Sequence, residues 1–153
     1  VSSEMCIRDR VYAVRAAGNL RVAEERSEAG ASEVRMFQET GAPALPALFL
    51  LGSGKTSELV MFTGSRDGLC SVHSPLKYAH QRSETAQPLI RLRCGENGEF
   101  FLLLAGTFRP DAQTGNYRLS FIAEKSGKVV TAQAEAAPRG CTDIGKLKFA
   151  GGK

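Results

Sequence analysis

Hydrophobic and polar positions alternate with a period of two through much of the chain, the pattern of strands with one buried face. The clearest case is 88–94 (PLIRLRC), where Ile90, Leu92 and Cys94 share one side and Arg91 and Arg93 the other. Residues 99–108 (EFFLLLAGTF) are almost continuously apolar, as in a central strand. Over 116–123, Tyr117, Leu119 and Phe121 alternate with Arg118 and Ser120, and a further strand is predicted over 128–134. Turn residues separate the four. Asn97-Gly98 tolerates positive φ at both positions. Pro110, Asp111 and Gly115 suit the second turn and Ser126-Gly127 the third. Together they predict a β-meander in the C-terminal half. A short last strand is expected over 145–149, with Leu147 and Phe149 inward and Lys146 and Lys148 outward.

The N-terminal half is less regular. Residues 11–17 and 20–23 suit a hairpin turning at Gly18-Asn19, although Asn19 could also cap a short helix that Gly30 ends. Strands are predicted over 34–37, 45–51, 57–63 and 69–73, with Pro46 confining the start of its strand to an edge because it has no N–H to donate. About ten short strands with frequent turns predict a mainly β fold. The expected architecture is a single antiparallel β-sandwich or barrel-like domain over 11–150.

Residues 1–10 (VSSEMCIRDR) resemble a translated sequencing adapter, so they are expected to be a non-native leader that includes Met5 and Cys6. They therefore carry no information on localisation. The longest apolar runs, 44–51 and 100–105, fall well short of the roughly 18 residues of a membrane-spanning helix.

Composition narrows the function classes. The 153 residues include eight Phe and three Tyr but no Trp, which leaves few aromatic platforms for sugars or bases. A net charge of +4 is mildly basic and falls short of a strong nucleic-acid signal. With Cys6 set aside, Cys70, Cys94 and Cys141 remain, an odd number that leaves the redox compartment open. Cys70 and Cys94 both lie on apolar sides of their strands, so they are the disulfide candidate, with Cys141 as the free thiol. A Cys94–Cys141 pair is the alternative, as are three free buried thiols in a cytosolic protein.

Several strings mimic known chemistry. Gly52-Ser53-Gly54-Lys55-Thr56 ends like a phosphate-binding loop, but Phe49 stands where that loop needs its first Gly, and strand formers follow. It reads as a surface turn. Cys70 and His73 have zinc-ligand chemistry, yet positions three apart on a strand face opposite sides. His73 and His80 are the only imidazoles, and the bland expectation for His80, in the polar stretch 75–87, is a surface position. No metal or cofactor is implied.

The collective feature is the set of outward cations Arg91, Arg93, Arg118, Lys146 and Lys148. Brought together, they would make a basic face for an anionic polymer, a membrane surface or a protein. The functional expectation is a non-enzymatic exported domain, periplasmic or secreted, with a binding or structural role. The alternative is a small hydrolase-like enzyme using a histidine with a cysteine or an acid.

Overall fold

Alternation of apolar and polar side chains gives the chain its strands, and a computed structural model of residues 11–15, 18–92, 102, 108, 110–125 and 127–137 shows how they pair. The strands are β1 (Val11–Val14), β2 (Leu20–Val22), β3 (Arg26–Ser27), β4 (Glu33–Gln38), β5 (Ala47–Leu51), β6 (Glu58–Arg66), β7 (Leu69–Val72), β8 (His80–Gln81), β9 (Thr85–Arg91), β10 (Tyr117–Lys125) and β11 (Lys128–Ala136). Contacts divide the chain into two compact units, 17–89 and the remainder.

In the first unit, six antiparallel strands close a barrel in the order β9-β2-β4-β7-β6-β5, with β5 returning to β9 through Phe49↔Pro88 and Leu51↔Ala86. Of the two architectures expected, the barrel is the one that forms. Its interior takes one side of each strand, including Leu20 and Val22, Val34 and Met36, Phe49 and Leu51, Val60 and Phe62, Cys70, and Ala86. The Phe49 and Phe62 rings meet with centroids 5.4 Å apart. Closure leaves no exposed strand edge, which suits a small antiparallel sheet. β5 begins at Ala47, immediately after Pro46.

In the second unit, β10 pairs with β1 and with β11, the latter in unbroken register from Tyr117↔Ala136 to Lys125↔Lys128. The core side of this sheet carries Val11, Ala13, Leu119, Phe121, Ala123, Val130, Ala132 and Ala136. The hairpin expected from 116–123 and 128–134 is thus present. Of the stretch expected as a strand over 99–108, only Leu102 and Phe108 are described, and the strand expected over 145–149 and the Asn97-Gly98 turn lie outside the described residues.

One local expectation fails. β1 pairs with β10, whereas β2 pairs with β4 and β9, and Gly18-Asn19 is not the tip of a hairpin. Nor does a helix follow, since β3 occupies Arg26–Ser27. Gly18 has φ +85° for a different reason: a Cβ there would lie 2.5 Å from the Gly41 carbonyl oxygen. The glycine allows two stretches of backbone to touch.

Candidate functional site

The densest charged cluster among the described residues is built on Glu58, the first residue of β6. Its strand buries Glu58, Val60 and Phe62 in phase, so alternation alone directs a carboxylate inward at one end of the barrel. The connection from β7 to β9 crosses that end. Leu76 drops into the barrel core, and its backbone exchanges hydrogen bonds with Gly30 and Ala31. The Lys77 and Tyr78 N–H groups then donate to the Glu58 carboxylate at 2.9 and 3.0 Å.

His80 completes the cluster. It pairs with Ser27 across the two-stranded β3–β8 ribbon, and its side chain is fully enclosed. Nε2 lies 2.8 Å from Glu58 Oε2, and Nδ1 lies 3.3 Å from Glu84 Oε1. Glu84 also accepts from the Gln81 N–H. Gly52 makes room for the ring: a Cβ there would lie 3.1 Å from His80 Nδ1, His80 Cε1 and Glu84 Oε1. The glycine that suggested a phosphate loop therefore has a packing role, while the Gly54–Thr56 turn beyond it is exposed.

A carboxylate at each ring nitrogen asks both nitrogens to donate, which selects the imidazolium. Burial pushes the His80 pKa down, but the hydrogen bonds and charges of Glu58 and Glu84 more than offset it and hold the pKa above its ordinary value. Burial likewise pushes Glu58 up. Its bonds from His80, Lys77 and Tyr78 outweigh that and hold it below the ordinary carboxylate range. The result is an ion network with the imidazole and Glu58 enclosed and Glu84 at its partly exposed edge. A general base needs a nitrogen within reach of substrate, and neither nitrogen here is open. A shared metal ion is equally unsuited, because the two carboxylates occupy opposite edges of the ring.

His80 is thus a correction to the surface imidazole expected at this position. Polar composition around 75–87 hid the burial. Glu58 was missed as well, although its phase with Val60 and Phe62 was readable.

The other candidates are placed as follows. Cys70 is a free thiol buried in the barrel core, and burial pushes its pKa up. The cross-link expected with Cys94 is therefore not formed at Cys70, which is packed among apolar side chains; Cys94 and Cys141 lie outside the described residues. His73 is exposed while Cys70 is buried, so the two face opposite sides. Arg91 and Arg118 are both exposed. Each neighbours a residue of the second unit's core, Leu92 and Leu119, so both project from the opposite side of that sheet. Leu92 N–H bonds to the Val11 carbonyl, which aligns Arg91 with Tyr12, and Tyr12 faces Ile122. Arg118 lies four residues from Ile122 along β10 and two strands from Arg91, so their Cα atoms are about 16 Å apart. Arg118 has acidic company: Asp111 at 3.8 Å and Glu135 directly opposite on β11. Arg93, Lys146 and Lys148 lie outside the described residues. No family model, curated protein or solved structure matches the chain.

Proposed function

We propose that the protein is a non-enzymatic binding or structural β domain that docks an extended anionic partner on the side of the second unit's sheet carrying Arg91 and Arg118. The observation behind this reading is that the two guanidinium groups are exposed on one side of the sheet, flanking the buried Tyr12 and Ile122 on that same side. Their spacing of about 16 Å exceeds the screening length of about 8 Å at physiological ionic strength. A compact anion meets one arginine at a time, whereas an anionic polymer reaches both. Asp111 and Glu135 beside Arg118 keep the attraction modest and sensitive to salt. The competing hydrolase reading is disfavoured because both His80 nitrogens are already taken. Placement outside the cytoplasm is part of the proposal and rests on fold class, Cys70 lending no cross-link to it.

Heparin titration at low and physiological salt is the direct test. Binding should weaken by about tenfold in an Arg91→Glu, Arg118→Glu double variant, since two attractive contacts become repulsive. Equal binding by the variant and its parent would show that these arginines only solvate the sheet.

A further inference from the structure

The connection that seals the barrel is rooted at the end of β7 and the start of β9, which lie at the same end of the barrel as Glu58 and Gly52. Residues 74–84 form a strap across that end. Few apolar contacts hold it down: Leu76 sits in the core, but Lys77, Gln81, Arg82 and Ser83 are exposed. Backbone bonds tie down both of its ends, Leu76 to Gly30 and Ala31, and residues 81–84 to β3, Glu25 and Val22, while Lys77 and Tyr78 between them are anchored through charge. Glu58 receives Lys77 N–H, Tyr78 N–H and the imidazole, and Glu84 receives the other side of the ring.

We propose that Glu58, His80 and Glu84 form a proton-operated latch that holds the Lys77 and Tyr78 stretch of the strap over the barrel end and releases it when the imidazole loses its proton. A neutral imidazole has one N–H for two carboxylates. The other nitrogen then presents a lone pair to a carboxylate oxygen, and the contact turns from attraction to repulsion. Among the described residues, the groups recorded against the ring include no substitute cation. From β6 it meets Glu58, from its own segment Glu84, from β3 the Ser27 position, whose hydroxyl donates to Glu24, and from the β5–β6 turn the bare backbone of Gly52. Arg26, the nearest guanidinium on β3, pairs with Glu28. Raising the pH removes protons and adds none, so the imidazole proton is what the latch loses. What loosens is the stretch between Leu76, which its bonds to Gly30 and Ala31 keep in place, and the β3–β8 ribbon.

Hydrogen exchange on the intact chain, corrected for intrinsic rates, reads the latch directly. Protection of the Lys77 and Tyr78 amides should fall by about tenfold between about pH 6 and about pH 9, with β6 amides such as Val60 and Phe62 unchanged. Glu84→Gln keeps the shape of the side chain and removes one of the two charges that hold the proton. It should move the release to lower pH. Protection that is equal at the two pH values would overturn the latch, as would strap and β6 amides losing protection together. A His80 ring-proton titration midpoint below the ordinary 6.5 would overturn it as well.

Discussion

The barrel and the β1–β10–β11 sheet bury different things. The sheet's described core is rich in alanine, with Ala13, Ala123, Ala132 and Ala136 beside Leu119, Phe121 and Val130. Its backbone groups are absorbed by a continuous β10–β11 ladder, and the one enclosed charged atom recorded beside it among the described residues is Arg15 Nε, just past β1. The barrel packs larger side chains, Phe49, Phe62, Leu51 and Met36, and also encloses Glu58 and His80. Closing a barrel satisfies the strands but leaves its ends open. Covering an end with a connection brings non-ladder N–H groups inside, and these need an acceptor. Glu58 accepts two of them, and its buried charge in turn needs a counter-charge, which His80 supplies. Buried ionisation here accompanies the capping of the barrel end.

The sharpest way to break that comparison is to remove the acceptor. Glu58→Ala leaves the Lys77 and Tyr78 N–H groups and one side of His80 unsatisfied. Urea denaturation should show a loss of about 3–5 kcal/mol, the cost of removing one partner from a buried ion pair. Glu135→Ala, on the exposed side of the sheet, should stay within about 0.5 kcal/mol. Similar small losses at both positions would mean that the barrel's charges are not structural.

The same network gives the barrel a stability window in pH. Glu58 has a folded pKa below its ordinary 4.5, so its contribution is present above that value and is lost as pH falls through the folded pKa. His80 has a folded pKa above its ordinary 6.5, so its contribution is complete below 6.5 and is lost as pH rises through the folded pKa. The full stabilisation therefore lies between these two ordinary values and declines on both sides.

How much of this was readable in the chain differs between the two regions for the same physical reasons. Period-two alternation located β4, β6, β7, β9, β10 and β11 to within a few residues, because each has one buried side. It also oriented Arg91 and Arg118 correctly. Asp67-Gly68, with φ of 53° and 82°, is a two-residue hairpin turn that the residue types alone could have indicated. Barrel closure was not readable, since the Phe49↔Pro88 pairing joins positions far apart in sequence. The strap was hidden more deeply. One buried leucine and one buried histidine in a polar stretch show no period, and nothing local says that Glu58 waits above them. The distance between Arg91 and Arg118 also depends on register, which alternation does not set.

Glycines offer a finer contrast between the regions. In the barrel, Gly18 combines φ +85° with a contact that a Cβ would bring to 2.5 Å from Gly41 O. Gly18→Ala has to move backbone against backbone as well as adopt an unfavourable φ. A loss of about 2–3 kcal/mol is expected in thermal or urea unfolding, at the upper end for strained backbone positions. A loss well under about 1 kcal/mol would show that the 18 and 41 segments separate freely, and the tight packing assigned to the barrel's connections would not hold.

The smallest effect should come from the corresponding change in the sheet. Gly127 has φ +76° in the turn between β10 and β11, but a Cβ there would meet nothing within 4 Å among the described residues. Only the conformational preference is at stake. Left-handed backbone costs an L-residue about 1–2 kcal/mol, and Gly127→Ala recovers part of this by restricting the unfolded chain, so a net loss of about 1 kcal/mol is expected. Gly127→Asn should lose less than Gly127→Ala, because asparagine tolerates positive φ better than other residues with a Cβ. The ordering to be measured is Gly18→Ala above Gly127→Ala above Gly127→Asn. If Gly127→Asn were as damaging as Gly127→Ala, φ would not be what selects glycine in this turn. A contact with residues outside those described would then have to account for it, and the sheet's turn would resemble the barrel's crowded connections after all.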